Sequence, residues 1–260
     1  MSKKDTWDGG NTDAKTNKDE ITFPKYYEKI ANGIDKNHLK SYKNIPGWMN
    51  DAEWIFESCF GDDYGIPYGG EHFVEIGTLL GQSSIRMAEL IKDWKKGQGR
   101  NKKQIRFDSI DTFYFIVHSI KNGQHPPKFL EYINLWETND VTHILNSQIK
   151  VLELEGLVNY ICCDSKYAHH IYRDNSLDLV WVDGSHEPED VERDVKNFWP
   201  KVKPGGLIAG DDYVYEAVAK KIHLFVDNHI DEISKFEHPD LKKKNSGNYF
   251  RVYKKHTYEK

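Results

Sequence analysis

EHFVEIGTLLGQSSIRMAELI, residues 71–91, decides the fold. Its opening HFVEI (72–76) is an apolar run of strand length, and residues 83–95 carry apolar side chains at helical spacing. Gly77 and Gly81 lie between, so strand, glycine turn and amphipathic helix follow in immediate succession. Such a turn lets a nucleotide-like ligand approach the backbone closely, beside helix-start amides that can donate hydrogen bonds. The spacing narrows the ligand. A dinucleotide site needs G-x-G-x-x-G, but Leu79 and Gln82 stand where that pattern wants glycine. No G-x-x-x-x-G-K-[ST] phosphate loop is present either. Glu75, two residues before Gly77, adds negative charge where a pyrophosphate would be repelled, so a cationic or zwitterionic ligand suits the turn better.

Strand-like runs recur downstream at 105–111, 158–163, 177–183 and 206–212, separated by helical periodicity at 83–95, 129–154, 187–199 and 214–228. Strand and helix alternating in this way predict a parallel sheet with helices on both faces. The end of the chain differs. EISKFE, a polar loop at 242–247 and NYFRVYK read as an antiparallel hairpin, which makes the sheet edge mixed. Ahead of the first strand, two helices are expected at 23–34 and 51–60, with Tyr26, Tyr27, Trp48 and Trp54 as packing bulk. The organisation read from this is a disordered tail (1–20), an N-terminal helical cap (21–69) and one α/β domain (70–260). The two helices of the cap could also meet a second copy of the chain.

The chain has 260 residues, enough for a full α/β core, with 30% charged residues. No apolar run approaches the roughly 20 residues that span a bilayer, and the polar N-terminus has no signal segment, so a cytoplasmic protein without a membrane partner is expected. A net charge of −5 is wrong for a nucleic-acid binder, and the basic run at 241–244 reads as a solvated loop. Three cysteines form no C-x-x-C pair; Cys162 and Cys163 lie in an apolar run and read as reduced core thiols.

In open α/β sheets, ligands bind at the carboxyl ends of the strands. Here nearly every such end carries an acid: Glu75, Asp111, Asp164, Asp183, Asp211 and Asp212. Buried carboxylates need partners, so six on one edge call for cations or hydroxyls.

E-x-G-x-x-x-G-x-S, from Glu75 to Ser83, resembles motif I of the class I S-adenosylmethionine-dependent methyltransferases, and the alternating units with a terminal hairpin look like their fold. The expected architecture is therefore Rossmann-like: a mostly parallel seven-stranded sheet with an antiparallel C-terminal hairpin. The run WVDGSHEPEDVERDVKNFWPKVKPGGLIAGDDY (181–213), with its helix-ending K-P-G-G, closely resembles methyltransferase family 24, which includes O-methyltransferases of sugars and antibiotics. The resemblance implies S-adenosylmethionine as cofactor and a small-molecule acceptor, with a sugar hydroxyl favoured. It sets Glu75, Gly77, Thr78 and Gly81 at the methionine end, with Ser83 nearby, and Asp111 at the ribose. Cys163, Asp164 and Ser165 would lie beside the adenine, although Asp164 or Ser165 could equally cap a helix. Asp183 and His186 fall at the methyl donor.

Asp183, Asp211 and Asp212 would repel one another unless a cation neutralised them, and all-oxygen ligation suits Mg²⁺. The plainer alternative makes Asp211 and Asp212 loop carboxylates. Metal-dependent relatives often carry Asp-Gly-Asp after strand four, whereas this chain has Ser185 at the second acid's place, followed by His186. Serine is no base at neutral pH and histidine is, so His186 is the candidate general base; otherwise it caps the next helix or orients Asp183. The long connection at 112–128 is an acceptor-wall candidate. The rival readings are a metal-independent N- or carboxyl-methyltransferase, an NAD-dependent oxidoreductase and a non-catalytic binding protein.

Overall fold

The computed structural model describes residues 37, 39–45, 47, 49, 52–60, 72–97, 104–113, 141–240 and 247–256. The expected tail, the helix at 23–34, the connection beyond residue 113, the first part of the helix at 129–154, the basic run at 241–244 and Trp48 lie outside them.

Seven strands form one sheet in the order β3-β2-β1-β4-β5-β7-β6. They are β1 (His72–Ile76), β2 (Arg106–Asp111), β3 (Asn159–Cys162), β4 (Leu177–Val182), β5 (Val202–Gly210), β6 (Ile233–Glu237) and β7 (Phe250–Lys254). The pairs β1–β2, β2–β3, β1–β4 and β4–β5 are parallel, while β7 runs antiparallel between β5 and β6. The mixed edge predicted from the terminal hairpin is thus present. The chain order reverses between β1 and β4, which is where open α/β sheets open a ligand crevice.

The central strands β1 and β4 are buried on both faces because helices cover both. Alternation along each strand decides which side chain faces which layer. Phe73, Phe107, Leu179, Trp181 and Leu207 pack under α2 (Gln82–Gly97) and α3 (Val141–Val151), together with α1 (Ala52–Ser58) and the segment around Leu39, Tyr42 and Ile45. Val74, Ile110, Val180, Val182, Ile208 and Val252 pack under α4 (Ser165–Ala168), α5 (Pro188–Phe198) and α6 (Glu216–Asn228). Helix α5 starts where its sequence says it should, with Pro188 in the first turn, Glu189 and Asp190 beside it, and Lys196 in the last turn.

Two expectations are corrected. K-P-G-G does not end a helix: Val202–Gly210 is one strand, and a bulge absorbs the awkward residues, since Leu177 pairs Val202 but Leu179 pairs Leu207. Cys162 is exposed and Cys163 only half-buried, so neither is a core thiol. The reason is position, because β3 is an edge strand of the sheet. Cys59 is the buried thiol, and burial pushes it up to about 12.

Toward the amino ends of the strands, Asp108 is fully buried and accepts from His72 Nε2 (2.8 Å), Arg106 Nε (2.9 Å), Asn159 Nδ2 (2.9 Å) and Tyr172 Oη (3.2 Å). Burial raises its pKa, but the bonds from His72, Arg106 and Asn159 outweigh burial and bring it from 3.8 to about 2. A folded-state pKa below the unfolded one adds stability above the unfolded value and loses it as pH falls through the folded value. Asp108→Asn should therefore cost about 2 kcal/mol at neutral pH. Urea midpoints of the two proteins should converge between about pH 4 and pH 2. A gap that stays constant over that range would assign the loss to shape rather than charge.

Candidate active site

The strand ends are tied across the sheet by one further backbone bond at each step. Cys163 N donates to Asp111 O (2.9 Å), Gly77 N to Ile110 O (2.8 Å), Asp183 N to Ile76 O (2.9 Å) and Asp211 N to Val182 O (3.0 Å). This ladder brings Cys163, Asp111, Gly77, Asp183 and Asp211 onto one edge, although they are scattered over more than 130 positions of sequence (77 to 211).

The glycine turn is held from below and from the side. Gly77 has φ +95°, and a Cβ there would stand 2.0 Å from the Asp183 carbonyl oxygen, so only glycine fits. Gly81 has φ +82° and lies against Leu145 and Tyr160. The Asp111 carboxylate collects the turn's amides: Oδ2 accepts from Thr78 N (2.8 Å) and Leu79 N (3.1 Å), and Oδ1 from Phe113 N (2.8 Å). Asp111 is thus a brace for the turn, and one remaining acceptor direction on Oδ1 is what it has for a ribose hydroxyl.

Glu75 lies beneath the turn with no exposed surface. Its Oε2 accepts from Ser84 and from Ser109 (2.7 Å), and Ser109 also meets Thr78 Oγ1 (2.6 Å). Burial raises the Glu75 pKa, opposed by the nearby Ser83, Ser84 and Ser109 hydroxyls. Its Oε1 is buried with no hydrogen-bond partner of normal geometry. A buried acceptor of this kind fits a cationic amine, the group that the methionyl end of S-adenosylmethionine carries.

At the third strand, Asp164 is the N-cap of α4, its Oδ1 accepting from Lys166 N (2.8 Å). The Ser165 hydroxyl turns away to Asp194, at 2.9 and 3.0 Å from the two carboxylate oxygens. Of the residues expected beside an adenine, the half-buried Cys163 and exposed Asp164 remain on the open side.

Beyond the fourth and fifth strands, His186 Nδ1 lies 2.6 Å from Asp212 Oδ2. A carboxylate only accepts, so Nδ1 carries the proton, and in the neutral imidazole Nε2 presents a lone pair. The imidazole is exposed and Asp212 almost fully buried. The His186 pKa is raised, first by its bond to Asp212, against desolvation. Asp212 holds φ +65°, a strained conformation for a residue with a side chain. Glu187, not His186, is the N-cap of α5, so the helix-cap alternative for His186 does not apply.

The Asp183 carboxyl is pushed well above the usual carboxylate range by burial, then by the charges of Asp211, Asp212 and Glu75. The three aspartates are near one another, yet they do not fit the metal expected of them. Among the described residues no three His, Cys, Asp or Glu are grouped so as to hold an ion, and Asp212 Oδ2 is engaged by His186. Sequence reasoning missed Ser84 and Ser109, and also Asp190, Arg193 and Asp194 on α5. The last three stand at i, i+3 and i+4, a spacing that aligns charges on one helix face and was legible in principle.

Residues 74–213 match the model of a family described as methyltransferase domain (Methyltransf_24). A comparison with curated proteins finds no match. The fold is similar to that of a protein from Staphylococcus aureus described as a caffeoyl-CoA O-methyltransferase, with TM-score 0.51, 12% identity, and 88% of this chain and 96% of that one covered. It is similar to the O-methyltransferase TomG of Streptomyces achromogenes, involved in tomaymycin synthesis and solved in complex with SAM (TM-score 0.50, 11% identity, 91% and 97% covered). It is equally similar to a protein from Clostridium thermocellum described as an rRNA methylase (TM-score 0.51, 13% identity, 82% and 99% covered).

Gly77→Ala should force the tips of β1 and β4 apart, at a cost of about 3 kcal/mol from strain and overlap. Thermal unfolding should register the loss, and the spectrum of the folded protein should stay α/β. An unchanged midpoint would mean that the two backbones do not touch at this point.

Proposed function

The chain belongs to the methyltransferase-domain family Methyltransf_24, and on that basis we propose that it transfers a methyl group from S-adenosylmethionine to a hydroxyl oxygen of a small molecule, with His186 as general base. The observation that carries the reading is the His186–Asp212 pair at the tips of β4 and β5. The bound cofactor supplies an electrophilic methyl on a sulfonium, so the protein's tasks are alignment, deprotonation and exclusion of water. Asp212 holds the imidazole by Nδ1, and Nε2 would take the acceptor's proton as its oxygen bonds to the methyl carbon and the carbon–sulfur bond breaks, leaving the neutral thioether S-adenosylhomocysteine. Glu75 takes the ammonium of the methionyl end, and the glycine turn admits the sulfonium portion to the backbone. Asp111, Cys163 and Asp164 flank the nucleoside.

The acceptor class rests on charge and chemistry. A general base is needed for a hydroxyl of high pKa and not for an ionised carboxylate, which favours an alcohol such as a sugar hydroxyl. A net charge of −5 argues against a polymeric nucleic acid. A divalent ion is the competing reading: the charges of Asp211 and Asp212 beside Asp183 would attract one, but the described residues offer no three-ligand group to hold it.

Calorimetric titration with S-adenosylhomocysteine should give saturable binding, and NADH should give none. With an acceptor found by screening sugars and phenols, His186→Ala should lower turnover by about 10²–10⁴ while cofactor affinity changes little. Turnover should survive chelation. Loss with EDTA and recovery with Mg²⁺ would move the reading to metal assistance, and absence of S-adenosylhomocysteine binding would sink it.

A further inference from the structure

The backbone ladder fixes neighbouring strand ends only. β3 and β4 are not neighbours, since β2 and β1 stand between them, a span of about 14 Å at the usual strand spacing. Yet a cofactor lying over β1, β2 and β3, with its reacting end at β4, needs that span fixed.

One face of α5 reaches both ends of it. The Ser185 hydroxyl, in the turn after β4, donates to Asp190 Oδ2 (2.9 Å). Arg193 Nη1 pairs with Asp190 Oδ1, and Arg193 Nη2 reaches Asp194 Oδ1 (3.2 Å). Asp194 takes the hydroxyl of Ser165, in the turn after β3, on both carboxylate oxygens, and Arg193 Nη2 also lies 3.4 Å from that hydroxyl. The chain Ser185–Asp190–Arg193–Asp194–Ser165 is continuous from one turn to the other. Its inner end is only 2% exposed, and burial raises the Asp194 pKa to about 6, with the bonds from Ser165 and Arg193 opposing the rise. A buried carboxylate with an arginine beside it is an expensive way to hold two helices together where apolar packing would serve. It is a precise way to hold two serines.

We infer that Asp190, Arg193 and Asp194 are positioning residues that clamp the turns after β3 and β4 at a set separation and thereby fix the length of the cofactor crevice. The inference rests on the proposed cofactor reading. None of the three needs to touch the cofactor; they act through Ser165 and Ser185.

A length constraint has a signature that general loosening lacks. S-adenosylhomocysteine reaches from the nucleoside side to the sulfur at β4, whereas adenosine lacks both the sulfur and the amino-acid end and occupies the nucleoside side alone. Both ligands are titrated by calorimetry into wild type, Arg193→Ala and Arg193→Lys, with thermal midpoints measured in parallel. Arg193→Ala should bind S-adenosylhomocysteine at least tenfold more weakly while adenosine changes by less than twofold. Arg193→Lys keeps a cation between the two aspartates and should recover most of the loss. If Arg193→Ala does not fold, Asp190→Ala removes one end of the chain alone and should show the same split. Equal weakening of both ligands, or no change in either, overturns the clamp. Failure of wild type to bind S-adenosylhomocysteine overturns instead the methyltransferase reading beneath it.

Discussion

The contact between the Gly77 backbone and the Asp183 carbonyl is the constraint on which the rest of the edge depends. Strands β1 and β4 are the central pair, and the chain leaves them in opposite directions around the sheet, so a crevice opens where they end. The two backbones remain in contact past the last paired residues, and a single methyl group would separate them. Everything that must meet at the edge is referenced to this crossing. The turn after β1 starts at Gly77, the turn after β4 starts at Asp183, and the outer strands join through one backbone bond each.

Six carboxylates converge on that edge, and four of them are engaged in unlike ways. Asp111 takes backbone amides, Asp164 caps a helix, Glu75 takes serine hydroxyls, and Asp212 takes an imidazole. Each partner is local and neutral apart from the histidine, so the edge keeps much of its negative potential. The effect shows at Asp183, which burial and its acidic neighbours push well above the ordinary carboxylate range. An edge of this kind favours a positively charged ligand, which agrees with a sulfonium and an ammonium and disagrees with a pyrophosphate.

The sheet, its mixed edge and the grouping of acids at strand ends were legible because they rest on periodicity and spacing, which local sequence carries. The strand at 202–210 was only half legible: Pro204, Gly205 and Gly206 read as a break, and only the pairing with β4 shows that a bulge absorbs them. Cys162 and Cys163 misled because apolarity predicts burial only when a strand has neighbours on both sides, and β3 does not. Ser165 was singled out from the sequence but its partner was not, since Asp194 lies a helix and a strand away in sequence. The same holds for His186 and Asp212, both singled out individually, whose pairing across the β4 and β5 tips no spacing rule encodes.

Two kinds of constraint therefore divide the edge. Backbone bonds set the distances between adjacent strand ends, where they cost nothing beyond continuing the ladder. Side chains set what the ladder cannot: the separation of β3 from β4, and the orientation of His186. Both side-chain devices carry a free-energy cost, the first as a buried carboxylate at Asp194 and the second as left-handed backbone at Asp212. Costs of that sort persist where the surrounding structure over-determines the conformation. On the proposed reading, cofactor placement falls to β1, β2 and β3 and proton transfer to β4 and β5, with α5 touching both halves. Helix α5 therefore sits where a change in one half would be felt in the other.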